Sequence, residues 1–292
     1  MIRKKALVIF GPTASGKSAN AIQIAKKYNS TIINADSIQV YEDLRLITSR
    51  PSIEDEKKFN HKLYGFLSGN QNCTVSLWLK LIKKEILESL DNNKLPIIVG
   101  GTGMYLKSLI DGLSLIPNIP IDVREKTKRK VREKGLHNIY EILLNENINL
   151  KIDPNDSQRI QRAYNVFIST GKTIEKWNLK NKKIIDDLEF DIIIQDFDRL
   201  KIYKNCESRF DKMLDCGGID EVKKMLEMNY DPNSSIMKAI GVREIAKYLK
   251  KEISLSEASI LAKQKTRNYI KRQITWIKGN NITNNCSFKK YI

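Results

Sequence analysis

Residues Gly11-Pro12-Thr13-Ala14-Ser15-Gly16-Lys17-Ser18 carry the spacing G-x-x-x-x-G-K-S. They follow the apolar run Ala6-Leu7-Val8-Ile9-Phe10 and precede a stretch of helical periodicity. That is the setting of a phosphate-binding loop. Two glycines let the chain wrap an anion, and the backbone N–H groups and helix N-terminus behind them favour negative charge. Lys17 adds a mobile cation, and the Ser18 hydroxyl offers a ligand to a metal ion or a phosphate oxygen. A ligand-free Gly-rich turn would leave Lys17 unexplained. Two other short segments hold reactive side chains at apparent strand ends: Ala35-Asp36-Ser37 and Gly100-Gly101-Thr102-Gly103.

Alternating strands and helices must position these groups. The pattern predicts a strand over 6–10, a helix over 17–28, a strand over 31–34, a helix over 75–90, a buried strand over 95–99 and a helix over 104–110. Such alternation implies a parallel sheet that binds ligands at its strand C-termini. The loop, Asp36 and Thr102 each sit at such an end. After Pro117 and Pro120 the strands stop, and basic helical segments follow over about 122–134, 136–145 and 156–170, punctuated by Gly135 and Gly171. A strand returns at 190–197. A long helix runs from Ser254 to about Lys278, with Gly279 as its stop. The fold class is therefore α/β: a P-loop NTPase-like parallel sheet flanked by helices, with a basic all-helical insertion domain. Residues 1–120 form the first part of the core, 121–189 the insertion, and 190–292 the completed core and C-terminal helices.

Composition narrows the ligand. The 292 residues carry 51 Lys and Arg against 34 Asp and Glu, a net charge of +17. That excess suits a polyanionic partner, most simply nucleic acid. An AT-rich coding bias toward Lys, Asn and Ile is the bland alternative. Four scattered cysteines and two histidines, His61 and His137, form no zinc-ligand spacing and no disulfide framework. Reduced thiols and a cytoplasmic location are expected. The N-terminal apolar run is too short for a signal peptide, and no segment reaches the length of a membrane span.

The phosphate loop is generic, but it is one of several motifs in order. They include Ala35-Asp36-Ser37-Ile38-Gln39-Val40-Tyr41, Gly100-Gly101-Thr102-Gly103-Met104-Tyr105 and Asp153-Pro154-Asn155-Asp156. Further on come Gln158-Arg159-Ile160-Gln161-Arg162-Ala163, Ala239-Ile240-Gly241-Val242-Arg243-Glu244 and Lys271-Arg272-Gln273-Ile274-Thr275-Trp276. Together they resemble the tRNA dimethylallyltransferases and span nearly the whole chain. The resemblance implies transfer of a dimethylallyl group from its diphosphate to N6 of the adenosine immediately 3′ of the anticodon, in tRNAs reading codons that begin with U. It implies a Mg²⁺ cofactor, tRNA and dimethylallyl diphosphate as partners, and no membrane partner. A monomer is expected.

The same resemblance assigns roles. Asp36 matches the general base, a role that suits a weak exocyclic amine nucleophile. An Asx-turn residue is its plain alternative. Thr102 matches a residue touching the target nucleotide, or simply caps the following helix. Lys17, Mg²⁺ on Ser18 and Arg209 match groups that neutralise the departing diphosphate. Arg209 read alone is equally a solvated residue paired with Asp211 or Asp215. Asn205 stands where the family often has a second Arg. Contacts to tRNA are implied for Asp36, Ser37, Ile38, Gln39, Thr102, Arg124, Gln158, Arg159, Ile160, Gln161 and Arg162. Lys263, Arg267 and Lys271 share one helical face, and with Arg272 suggest phosphate contacts. Tyr269, Gln273 and Trp276 form a second stripe, in which Tyr269 and Trp276 are more often core than a stacking platform. His61 reads as structural. Two rivals stand beside this reading. One is an ATP-dependent nucleotide or nucleoside kinase, although Ile97-Ile98-Val99 ends in Gly-Gly rather than in an acidic Mg²⁺ ligand. The other is a non-catalytic P-loop RNA-binding protein.

Overall fold

The computed structural model describes residues 4–146, 152–179, 181–195, 198–280, 282 and 284–291. Its contacts divide into two compact units, 1–110 with 185–292, and 111–184.

In the first unit, strand β1 (Lys4–Phe10) buries every residue from Ala6 onward. It leads through the phosphate loop into α1 (Lys17–Ala25). Then come β2 (Ser30–Asn34), α2 (Ile53–Lys58), β3 (His61–Lys62), α3 (Val75–Asp91), β4 (Leu95–Gly100) and α4 (Gly103–Asp111). Continuous apolar strands of this kind are what a parallel sheet covered on both faces requires. The sheet is parallel throughout, in the order β3-β2-β4-β1 with one further strand, Leu188–Ile194, at the edge beside β1. Ile32, Ile97 and Leu7 lie in one row across β2, β4 and β1. The C-termini of β1, β2 and β4 therefore open side by side onto the three reactive segments. Trp78 of α3 ties two of them together. Its indole N–H donates to the Asn34 carbonyl at 2.9 Å, and its ring stacks on Tyr105 of α4 with centroids 4.2 Å apart.

The second unit begins with β5 (Leu113–Ser114) and ends with β6 (Asn181–Lys182). Between them run α5 (Ile121–Asn145), α6 (Ser157–Thr170) and α7 (Ile174–Asn178). The unit spans 111–184, against the 121–189 read from the sequence. It is not wholly helical, because β5 and β6 pair antiparallel and bring its two ends together. Two-residue strands carry too little periodicity to be seen in a sequence. Gly135 (φ 80°) breaks α5, so the two expected helices stand as separate rods. Ile139, Leu143, Ile160, Ala163 and Tyr164 form the unit's core.

The chain then completes the first unit with β7 (Leu188–Ile194), α8 (Arg199–Met213), α9 (Ile219–Glu227), α10 (Val242–Leu249) and α11 (Leu255–Gly279). The last two residues expected in β7, Asp196 and Phe197, lie outside the described residues. Ser254 caps α11 by accepting from Glu257 N, and Glu257 reaches back to Ser254 N. Gly279 is not the stop but lies in the last turn, with Asn280 as C-cap. The expected α1 ends three residues early, at Ala25.

Candidate active site

The phosphate loop is built to hold something other than itself. Gly16 takes φ 91° and directly precedes α1, and no side chain caps that helix. The first-turn N–H groups are thus left to a ligand. Ala14 is also in the left-handed region, at φ 58°. A β-carbon there is strained, and such strain persists where the surroundings enforce it. Lys17 folds back so that Nζ donates to the Pro12 carbonyl at 2.6 Å. Burial pulls its pKa from the ordinary 10.5 down to about 8. Asp36 opposes that shift and Arg209 adds to it.

Arg209 reaches the loop from α8 and donates from Nη2 to Thr13 Oγ1 at 2.8 Å. Burial lowers its pKa, while Cys206 and Asp36 act in the opposite sense. An arginine stays charged under such a shift. The solvated pairing with Asp211 or Asp215 is not what forms. Asp211 instead binds Lys263 of α11 at 2.6 Å.

Asp36 is held by its neighbours. Asn34 Oδ1 accepts from Asp36 N at 2.8 Å, and Asn34 Nδ2 donates to Asp36 O at 2.9 Å and to Leu63 O at 3.0 Å. One carboxylate oxygen, Oδ1, accepts from Ile38 N at 2.9 Å. The Asx turn is therefore real, and it orients the carboxylate rather than excluding a second role. Thr102 stands before α4, yet its Oγ1 turns away from that helix and accepts from Ser37 N at 3.0 Å. Gln39 donates from Nε2 to the Thr48 and Ser49 carbonyls at 2.8 and 3.1 Å. Its donors are spent inside the protein, and Oε1 remains as the acceptor of that amide.

Two cavities meet at these residues. One, of about 280 Å³, is lined by Lys17, Ser18, Asp36, Gln39, Asn205 and Arg209 among others. The second, of about 340 Å³, has apolar walls from Ile38, Ile47, Phe210, Met213, Ile240 and Tyr269. Thr13, Asp36, Ser49 and Arg209 line both. Arg272 borders the second cavity and lies over the Tyr269 ring, 5.7 Å from its centroid. Burial raises the Tyr269 pKa, so this wall is a neutral phenol.

Sequence reasoning did not single out Asn34, and it placed Gln273 only as a member of a helical stripe. Gln273 Oε1 accepts from Thr13 N at 3.0 Å, and its Nε2 donates to Gly101 O at 2.9 Å. Trp276, one turn on, sets its ring edge to Phe10 at 5.7 Å. The basic row on α11 is divided. Lys263 is paired with Asp211, and Arg267 is in an ion pair with Glu207 of α8. Lys271 and Arg272 are exposed. His61 is structural as expected. Its Nδ1 meets Phe59 O at 3.0 Å and its ring lies edge-on to Tyr64. The four cysteines are free.

In the second unit, Arg124, Gln158, Arg159 and Arg162 are exposed. Arg159 pairs with Asp156 at 3.3 Å. Gln161 donates to Ser157 at 2.8 Å. Arg124 lies near enough to Arg162 to depress its pKa, second to burial. Ile160 is a correction: its side chain is fully removed from solvent in the unit's core, and offers no surface to RNA.

A phosphate loop on a parallel sheet faces a carboxylate and an apolar chamber, the layout of an α/β enzyme with a site for a phosphorylated ligand. The family comparison makes this specific. Residues 39–280 match the IPP transferase family and residues 4–65 match isopentenyl transferases. The chain belongs to the IPP transferase family. It is 42% identical over 276 residues to the tRNA dimethylallyltransferase of Pelagibacter ubique, covering 94% of this chain and 88% of that one. It is 41% identical to the tRNA dimethylallyltransferase of Ehrlichia canis, covering 94% and 91%. Among solved structures, a eukaryotic dimethylallyltransferase acting on tRNA matches with TM-score 0.79 and 27% identity, over 94% of this chain and 70% of that one. A tRNA isopentenylpyrophosphate transferase of Staphylococcus epidermidis matches with TM-score 0.67 and 29% identity, over 98% and 95%.

Proposed function

We propose that this protein transfers the dimethylallyl group of dimethylallyl diphosphate to N6 of the adenosine immediately 3′ of the anticodon, in tRNAs reading codons that begin with U. One observation carries the reading: a cationic cavity and an apolar cavity share Asp36 and Arg209 in their common wall. The diphosphate lies against the loop N–H groups, Lys17 and Arg209. The prenyl chain lies against the apolar walls. The adenine amine attacks the prenyl C1, the N–C bond forms and the C–O bond breaks. Charge accumulates on the diphosphate, where fixed cations stabilise it most. Asp36 takes the proton the amine loses. Asn205 leaves Arg209 as the guanidinium on that helix nearest the loop.

Among the described residues no group of three or more His, Cys, Asp or Glu side chains is placed to hold a metal. The Ser18 hydroxyl, which lines that cavity, suits a Mg²⁺ ion that takes most of its ligands from diphosphate oxygens and water. When bound, that ion adds positive charge at the leaving group. The target base is stacked in an RNA loop and must swing out to reach the cavity. Ser37, Ile38, Gln39 and Thr102 line its approach. Arg124, Gln158, Arg159 and Arg162, with Lys271 and Arg272, supply contacts to the RNA. The two neighbouring guanidiniums, Arg124 and Arg162, gain from an anion between them. Among the described residues no helix is long and apolar enough to cross a membrane. A cytoplasmic monomer fits this role.

The test is incubation with labelled dimethylallyl diphosphate and unmodified tRNA. Label is expected at that single adenosine, and Lys17→Ala is expected to abolish transfer. ATP-dependent phosphotransfer without prenyl transfer would establish the kinase reading instead.

A further inference from the structure

Gln273 lies on α11, 260 residues from Thr13 and 172 from Gly101, and it bonds to both. The residue is 7% exposed. The partners fix the amide's orientation. At this contact Thr13 presents its N–H and Gly101 its carbonyl, so Oε1 faces the first and Nε2 the second. The approach is close enough that a β-carbon at position 101 would lie 2.4 Å from Nε2. Gly101 is the residue that admits the amide.

These two backbone atoms belong to different working parts. Thr13 sits in the phosphate loop and takes the Arg209 guanidinium on its hydroxyl. Gly101 precedes Thr102, which holds the Ser37 N–H and hence the Asp36-Ser37 turn. We infer that Gln273 is a positioning residue, a two-ended strap that fixes the donor-binding loop relative to the turns presenting Asp36 and Thr102. It touches no reacting atom. One Thr13 N–H is thereby withdrawn from the anion cradle and used to set the cradle's place. Misplacement of reacting groups by about 1 Å costs on the order of 10²-fold in rate, so the strap acts on the chemical step more than on either substrate's affinity.

This inference rests on the transferase reading, and its test separates the two. Hydrogen exchange of the amides in 11–16 and 101–103 reports on the strap without any turnover. Single-turnover transfer and the two KM values report on its consequence. In Gln273→Ala, exchange is expected to quicken in both segments and the single-turnover rate to fall about 10- to 100-fold. Each KM should change less than about threefold. Gln273→Glu keeps the shape. As a carboxylate it cannot donate to Gly101 O; as a neutral acid it can, while still accepting from Thr13 N. Its rate relative to wild type should therefore climb as the pH is lowered and the introduced carboxyl takes up its proton. Lys17, Asp36, Tyr64 and Arg209 face the same cavity and are common to both proteins, so the ratio isolates position 273. Should Gln273→Ala fail to fold, Gln273→Met keeps the chain length without either bond. Wild-type exchange rates in the variants would overturn the strap. So would a rate loss proportional to lost folded protein, or a Gln273→Glu deficit that stays constant down to the lowest pH at which both proteins remain folded. Absence of transfer by wild type would sink the transferase reading and leave the exchange result standing.

Discussion

At Asp36 the Asx turn and the proposed proton acceptor share one carboxylate. Oδ1 is committed to Ile38 N, which fixes the side chain's direction. The group then needs no reorganisation to meet the amine. Asp36→Asn preserves the Asx turn and removes the basicity, so kcat should fall by about 10²–10⁴. The tRNA Kd should stay within about twofold, since RNA contacts to phosphate and loop bases supply the affinity. Single-turnover transfer beside equilibrium binding decides this; a parallel loss of affinity would make Asp36 a recognition residue. Lys17 makes a separate, pH-dependent prediction. Its pKa of about 8 means that ligand-free protein loses the ammonium as pH rises through 8. Dimethylallyl diphosphate affinity should decline above that pH, and less steeply in Lys17→Met. The linkage to stability has the opposite sign. Burying the cation costs the folded state fully below about pH 8. That cost is relieved as pH rises toward the ordinary value of 10.5. Wild type should gain on Lys17→Met over that interval in melting experiments.

Helix α11 shows what an element hides from its own sequence. Lys263, Arg267 and Lys271 recur at four-residue spacing and look alike along the chain. Tertiary partners separate them: Asp211 and Glu207 of α8 take the first two. An arginine already paired with a carboxylate releases little counterion on meeting RNA. Lys271→Ala and Arg272→Ala should therefore each reduce the slope of log K against log salt by about 1, and Arg267→Ala by much less. Titrations at four salt concentrations would show it, and an equal slope change in all three would refute it. The short-range parts of the site were legible for a physical reason. A phosphate loop, an Asx turn and a Gly-Gly-Thr turn are each built within a few residues. Gln273 was not, because its partners are backbone atoms far away in sequence; Asn34 was missed although two of its side-chain bonds are local, to Asp36 two residues on, and only the third reaches a distant carbonyl, at Leu63. Ile160 was misread by motif matching, although Ile160, Ala163, Tyr164 and Phe167 recur at helical spacing and marked a buried face.

The residues proposed for donor chemistry and many of those proposed for RNA contact fall in different stretches of the chain, and its covalent layout makes that proposal testable. The cavities and every group assigned to the diphosphate lie in residues 1–110 and 185–292. Arg124 and the 158–162 segment lie in 111–184, which has its own apolar core. The pairing of Leu113–Ser114 with Asn181–Lys182 holds the ends of that unit side by side. A short Gly-Ser linker can therefore replace residues 115–180 without stretching the chain, since a flexible linker of a few residues spans such a gap. The shortened protein should melt cooperatively and bind dimethylallyl diphosphate within about threefold of wild type. Its tRNA affinity should fall by at least about 10²-fold at moderate salt, because several phosphate contacts leave together and each carries a share of the salt-dependent term. Calorimetric donor binding, a melting curve and a tRNA titration on the same preparation suffice. A folded, donor-binding protein with unchanged tRNA affinity would move the RNA interface onto α11 and the phosphate-loop face alone. A folded protein that lost the donor would show that residues 115–180 help to shape the cavity.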